Sequence, residues 1–357
     1  MHASDLNAAW FDGVLGGAGA RVTDIERARI GTGQVADSYQ VHLRTEPPDG
    51  GVPASVVAKL TSDSEQSRAA GRSEMNYLRE VRFYQEVAPQ LAARVPSCHH
   101  AEIDSNGTEF VLVLEDLSPA RPGNQLTGCT VEETELALAQ AARFHAPFWD
   151  DDGLRGSDWL DISASYWARF EQMLPTWFAG FAERYRDRMD AADLDAAQRF
   201  VDRIDAYYRR LRACPFTIQH GDFRPDNVLF DVHGEPGTLA VVDWQTVILG
   251  PAAVDVAYFV GGALDATTRR AHEDRLLAGY HAELARLGVD YDAGRLAADY
   301  AVGCFANVVI GVAAAMLVER SDRGDDLFTS MVTNAVRQAQ DRDGFRELES
   351  PTEATHG

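Results

Sequence analysis

Cysteine is scarce in this chain of 357 residues: Cys98, Cys129, Cys214 and Cys304 are scattered, and none belongs to a CxxC pair. That excludes a zinc knuckle and a disulfide framework. Positive charge is also short. The 33 lysines and arginines face 55 aspartates and glutamates, a net charge of −22, which argues against a nucleic-acid or anionic-membrane partner. The acidity reads first as solubility, with a pocket for a cationic substrate as the alternative. The opening Met1-His2-Ala3-Ser4-Asp5 lacks a basic region followed by an apolar stretch. No secretory signal is expected, and the reducing cytoplasm is the expected compartment. Long apolar runs are missing with one exception. Tyr300–Val318 holds 19 residues without a charge, close to the length of a membrane span. It contains Asn307 and has no flanking basic cluster, so a buried helix is expected and not a span. Repeats and low-complexity tracts are absent, apart from a polar tail after about Asp341. What remains, 45% hydrophobic and 25% charged residues, suits a folded protein of two packed domains or one domain with lobes.

Patterning divides the chain. A short helix (Leu6, Trp10, Val14) is expected before the glycines at 16–19. Residues 21–60 read as β, with segments at 22–25, 28–30, 38–43 and 55–60 and turns at 31–37 and 47–51. Residues 65–88 read as a helix stopped by Pro89, followed by strands at 101–104 and 110–117. Pro119, Pro122 and Gly123 mark a linker. Beyond it the pattern is helical. Thr130 and Glu133 form a capping box for a helix to His145, an aromatic-rich helix covers 163–189 with Pro175 as a kink, and another helix covers 191–212. Residues 216–244 interrupt with a strand, a loop and a hairpin, and helices resume from Val254. The expectation is an α+β, bilobal chain with a β-rich lobe at 1–117 and a helical lobe at 118–357.

The chemistry concentrates in Ile218-Gln219-His220-Gly221-Asp222-Phe223-Arg224-Pro225-Asp226-Asn227 and Val241-Val242-Asp243-Trp244. Phosphoryl transfer needs positioning, charge neutralisation and a group that accepts a hydroxyl proton. Asp222 is the candidate base. Asn227, five residues on, can reach a magnesium ion, and Asp243 at a strand end is the candidate main magnesium ligand. Each alone is a common turn or cap residue; the three in this order make a motif. Lys59 sits inside the apolar run Val56-Val57-Ala58-Lys59-Leu60. Lysine is rarely buried unpaired, so it is expected on the nucleotide phosphates with an acid to hold it. Glu74, Glu80 and Glu86 are available, and Glu80 lies nearest the apolar helix positions. Gly31 and Gly33 flank Thr32 in a turn that can cover phosphates. The backbone around Glu115, Asp116 and Leu117 is placed to hydrogen-bond an adenine edge, or to cap a strand before the linker. Asp255 is read as a brace for the Asp222 loop and His220 as its orienting residue.

These residues resemble the small-molecule kinases of the protein-kinase-like fold, the aminoglycoside phosphotransferase and choline kinase group, and within it the ecdysteroid-kinase-like branch. The likeness rests on His220-Gly221-Asp222 with Asn227, Val242-Asp243-Trp244, Leu114-Glu115-Asp116-Leu117, Glu80-Val81-Arg82-Phe83-Tyr84 and Phe144-His145-Ala146-Pro147-Phe148-Trp149. It implies two lobes, ATP with Mg2+, and γ-phosphoryl transfer to a hydroxyl. It carries Asp222 over as base, Asn227 and Asp243 as magnesium ligands, and Lys59 with Glu80 as the nucleotide-positioning pair. The chain departs from protein kinases, which carry His-Arg-Asp, Asp-Phe-Gly and Ala-Pro-Glu elements. Only eleven residues separate Asp243 from Asp255, too few for a peptide platform, so a small-molecule acceptor is expected. A protein kinase and a catalytically silent ligand-binding protein are the alternatives. The acceptor pocket is expected from 145–185, Trp244 and 300–330. Its aromatics favour a sterol-like alcohol; Asp150, Asp151, Asp152, Asp158, Asp322, Asp325 and Asp326 favour an aminoglycoside or aminoalcohol. Oligomeric state is not legible.

Overall fold

The computed structural model describes residues 3–16, 19–31, 35–48 and 50–350. The chain forms two compact units. The first is Met1–Ala120 with Val232–Gly234 and Ala240–Val247; the second is Arg121–Asp231, Glu235–Leu239 and Ile248–Gly357. The first is built on an antiparallel sheet and the second is mainly helical, giving the expected α+β class.

The first unit opens with helix α1 (Ala8–Leu15), whose N-cap Asn7 side chain accepts from the Trp10 N–H. Strands β1 (Arg21–Ile30), β2 (Ala36–Glu46), β3 (Ser55–Thr61), β4 (Cys98–Ile103) and β5 (Phe110–Glu115) pair in the order β1-β2-β3-β5-β4. The two short segments expected at 22–25 and 28–30 are one strand, because β2 offers β1 a partner from Ser38 to Glu46. Side chains alternate along β3. Val56, Ala58 and Leu60 join Leu6, Phe11, Val22, Val41, Leu43, Val111 and Val113 in one core. Lys59 therefore projects from the opposite face of the sheet.

The helix expected over 65–88 is broken. Helix α2 (Glu65–Ser73) and helix α3 (Asn76–Arg82) meet at Met75, which takes left-handed φ 54°. A π-helical turn at Phe83–Val87 and a 3-10 turn carrying Pro89 follow. Tyr77 accounts for the break. Its ring stacks on Phe110 at 4.7 Å and lies so close to Gly71 that a β-carbon there would collide with it. Helix α3 buries Tyr77, Glu80, Val81 and, one turn on, Tyr84, the spacing of a single helix face.

In the second unit the Thr130–Glu133 capping box is formed at the start of α4 (Val131–His145). Helix α5 (Ser163–Tyr185) contains Pro175. The helix expected over 191–212 is two, α6 (Ala191–Val201) and α7 (Ile204–Arg212). Short strands β6 (Arg121–Pro122), β7 (Phe216–Gln219), β8 (Val228–Phe230) and β10 (Ile248–Pro251) carry the motif region of this unit, β6 pairing with β8 and β7 with β10, both antiparallel, while the residues Ala240 and Val241 of β9 (Leu239–Val241) belong to the first unit. Helices α8 (Ala252–Ala263), α9 (Ala266–Arg286), α10 (Ala293–Gly303), α11 (Ala306–Leu317), α12 (Asp322–Asp341) and α13 (Gly344–Glu349) complete it. All of α8 is buried. The uncharged run is the end of α10 and all of α11, interrupted at Cys304–Phe305, and 78% of the most apolar window of Ala293–Leu317 is buried. Its apolarity serves packing: a β-carbon on Gly303 would lie 2.8 Å from the Ala253 carbonyl of α8.

The capping box satisfies the Thr130 and Glu133 amides at the start of α4. Thr130→Ala is expected to cost about 1 kcal/mol in chemical denaturation; an unchanged midpoint would contradict that assignment.

Candidate functional site

Lys59 and Glu80 come from β3 and α3, and Asp243 joins them within the first unit. Lys59 Nζ lies 2.7 Å from Glu80 Oε2 and 2.7 Å from Asp243 Oδ1. The Glu80 side chain is 2% exposed, Lys59 13% and Asp243 30%, so the cluster opens to solvent on the Asp243 side. Burial pulls the Lys59 ammonium down, but Asp243 and Glu80 outweigh it and hold it above its ordinary value. One cation serves two carboxylates here. Burial pushes Glu80 up to about 7, and Asp243 adds to the push.

The backbone around Asp243 is tied to α3. Asp243 takes left-handed φ 66°. Trp244 is fully buried and stacks on Phe83, centroids 4.0 Å apart and planes 8° apart. Asn76 donates to the Gln245 carbonyl at 3.0 Å and Arg79 to the Thr246 carbonyl at 3.4 Å. The same helix therefore supplies Glu80 and fixes the turn that presents Asp243. Trp244, expected to line an acceptor pocket, is core instead.

In the second unit, the chain leaves β7 through Gly221 at φ +81°, a conformation that favours glycine. Asp255 of α8 accepts from the His220 N–H at 2.6 Å and the Gly221 N–H at 3.1 Å, the bracing role expected of it. His145 Nε2 faces the same carboxylate at 3.4 Å, and its Nδ1 lies 2.9 Å from the Tyr280 hydroxyl. Burial lowers the His145 proton affinity. The ring is neutral, Nε2 donates to Asp255, and Nδ1 accepts from Tyr280. The Asp222 N–H is 3.3 Å from His220 Nδ1, so His220 does orient this loop.

Asp222 and Asn227 are brought together: Asn227 Nδ2 donates to the Asp222 carbonyl at 2.8 Å and to its Oδ2 at 2.9 Å. Two further donors reach the carboxylate. Arg224 Nε lies 3.1 Å from Oδ2, and the Tyr258 hydroxyl 2.8 Å from Oδ1. Neither was singled out from sequence. Arg224 stood two residues after Asp222 in plain view, whereas Tyr258 carries no local signal. A composition signal was also passed over: Lys59 is the single lysine among the 33 basic residues.

The remaining candidates divide. Gly31 ends β1 at φ +71° with open space beside it, and Gly33 lies outside the described residues. Glu115 holds Arg94 through both carboxylate oxygens, at 2.6 and 2.8 Å, and accepts from the Ser97 N–H and from His233 Nε2 at 3.0 Å. Leu117 is buried and its carbonyl accepts from the His233 N–H. The aromatics of α5 (Trp167, Phe170, Phe178, Phe181, Tyr185) are core, and Asp325 is buried against Tyr185, Arg188 and Arg320. Asp150, Asp151, Asp152, Asp158, Asp322 and Asp326 are exposed.

No group of three or more metal-ligating His, Cys, Asp or Glu side chains exists among the described residues. The available donors are hard oxygens. In the second unit Asn227 directs its Nδ2 to Asp222, and in the first unit Asp243 presents a carboxylate; each offers an oxygen of the kind a small hard cation takes.

A family model described as the phosphotransferase enzyme family matches residues 30–296. No curated protein matches the chain. Among solved structures, a candidate aminoglycoside phosphotransferase from Ralstonia eutropha JMP134 is 15% identical, with 94% of this chain and 97% of that chain covered at TM-score 0.54. A spectinomycin phosphotransferase in complex with ADP and spectinomycin is 12% identical over 96% and 99% of the two chains at TM-score 0.53. A choline kinase from Cryptosporidium parvum is 10% identical over 91% and 90% at TM-score 0.53. The fold likeness thus falls on the aminoglycoside phosphotransferase and choline kinase group; none of these matches carries the narrower likeness to the ecdysteroid-kinase-like branch.

The Glu115 cluster has a pH signature. Burial alone would push this carboxyl up, but Arg94, the Ser97 N–H and His233 outweigh it and hold it at about 2 against an ordinary 4.5. The folded-state value lies below the unfolded one. The stabilisation is therefore complete above pH 4.5 and lost as pH falls toward 2. Glu115→Gln is expected to lower Tm by several degrees at pH 7, with the gap to wild type closing over that acid window. A gap independent of pH would show that the charge of Glu115 contributes nothing.

Proposed function

The chain belongs to the phosphotransferase enzyme family, and on that premise we propose that it transfers the γ-phosphoryl group of ATP to a hydroxyl of a small molecule in the presence of Mg2+. The observation that carries the reading is the Lys59 ammonium held between Glu80 and Asp243. A single lysine, buried in a strand and clamped by a helix glutamate, is a preorganised cation for the α- and β-phosphates.

Asp222 accepts the proton of the attacking hydroxyl. Glu80 holds Lys59 in place, and Asn227 and Asp243 hold the metal ion. When bound, Mg2+ supplies neutralisation of phosphate charge. The backbone from Glu115 to Leu117 receives the base of the nucleotide, and the turn at Gly31 and Gly33 covers its phosphates. The cytoplasm is the proposed compartment.

Most α5 aromatics and Trp244 are buried, with Tyr166 and Trp177 half-buried, which counts against a sterol-like acceptor. The exposed aspartates at 150–152, 158, 322 and 326 favour an amine-bearing alcohol, an aminoglycoside or aminoalcohol. The eleven residues between Asp243 and Asp255 count against a protein acceptor.

The test is ADP release from MgATP with a panel of spectinomycin, kanamycin, choline, ethanolamine, a sterol and a control peptide, with products identified by mass spectrometry. Phosphorylated amino alcohol or aminoglycoside is expected. Asp222→Asn should lower kcat at least about a hundredfold while leaving the MgATP Kd within a few-fold; full activity in that variant would remove Asp222 from the reaction. Lys59 allows a second check. An acyl-phosphate analogue of ATP should acylate this one lysine and excess MgATP should protect it. Labelling indifferent to MgATP would separate Lys59 from the nucleotide.

A further inference from the structure

Asp222 is satisfied unevenly. Among the described residues its Oδ2 accepts from both Asn227 Nδ2 and Arg224 Nε, and Oδ1 accepts from the Tyr258 hydroxyl. A carboxylate offers about two lone-pair sites per oxygen. Oδ1 is therefore the oxygen with fewer protein donors. The side chain is 26% exposed, so that oxygen is within reach of a ligand.

Tyr258 is built to stay where it is. It lies on α8 three residues after Asp255, on the same face one turn along, so one helix grips the loop twice: at the His220 and Gly221 amides and at the Asp222 carboxylate. Its side chain is buried, and Asn307 of α11 donates to its backbone carbonyl at 3.1 Å. Phe223, next to Asp222, packs on Phe259 of the same helix at 4.7 Å. Burial and the neighbouring Asp222 charge hold the phenol well above its ordinary titration range, so its hydroxyl remains a donor.

We propose that Tyr258 is the positioning residue of the reaction: it fixes the Asp222 carboxylate so that Oδ1 receives the acceptor hydroxyl. The inference rests on the reading of Asp222 as base. The proton moves from the acceptor hydroxyl to Oδ1, the acceptor oxygen bonds to the γ-phosphorus, and ADP leaves with the electron pair of the broken P–O bond.

Tyr258→Phe keeps the buried ring and removes only the donor. Steady-state ADP release from MgATP with the acceptor panel is expected to show kcat reduced at least about tenfold, with acceptor KM and MgATP Kd within about twofold of wild type. Asn307→Ala, which loses a hydrogen bond to the Tyr258 backbone carbonyl but no contact of Asp222, should lower Tm and keep kcat. An unchanged kcat in Tyr258→Phe overturns the proposal, as does a loss confined to KM or Kd. An equal loss in Asn307→Ala overturns it too, because packing would then be the cause. Asp222→Asn in parallel separates the two readings. If that variant keeps its activity, the base assignment falls and this inference falls with it. If it is inactive while Tyr258→Phe is normal, only the inference falls.

Discussion

One ammonium between two carboxylates organises the first unit. Lys59 is surrounded by apolar neighbours in β3 and the sheet beside it, so its charge persists only because Glu80 and Asp243 both reach it. Removing either partner would leave a buried charge short of compensation, a penalty far larger than the worth of a surface ion pair. The requirement propagates outward. Glu80 must come from a helix packed on that face of the sheet, so Tyr77, Val81 and Tyr84 bury the same side of α3. Asp243 must be delivered by a turn, so Trp244 anchors that turn against Phe83 and Asn76 caps it. Two carboxylates on one cation leave the cluster with excess negative charge, which suits the arrival of a metal ion more than that of a second anion.

The sequence made the chemistry more legible than the geometry. Asp222 and Asn227 sit within one short loop, so their meeting required only a turn. Lys59 and Glu80 could be paired because β3 alternates and α3 has a helical face; strand and helix periodicity are local properties. Asp243 touching Lys59 Nζ is a contact across 184 residues, and no local pattern encodes it. Tyr258 was invisible for the same reason: in an all-buried helix every position reads alike, and its hydroxyl becomes informative only when its partner is known. Helix boundaries at 74–75 and 202–203 were missed because Tyr77 and the packing of α6 and α7 set them, against continuous helix propensity. The uncharged 300–318 segment, expected as a buried helix, is mostly buried, and its Asn307 donates to the Tyr258 carbonyl.

The second unit places its polar chemistry in a helix that is buried along its whole length. Burying Asp255 in α8 would be costly if it stood alone. Two backbone amides of the loop and the neutral His145 ring satisfy it instead. The dependence runs both ways: the loop amides at His220 and Gly221 need Asp255, and Asp255 needs them. The Asp222 loop is thereby part of the core's hydrogen-bond accounting. Once α8 packs, the loop amides and the Asp222 carboxylate are placed in the same event, by residues one helical turn apart. A reactive carboxylate on a loop is ordinarily free to sample rotamers, and each misdirected rotamer subtracts from the rate. Here the loop backbone is gripped by a buried carboxylate and the side chain by a buried phenol, so the carboxylate proposed as base is preorganised by folding itself.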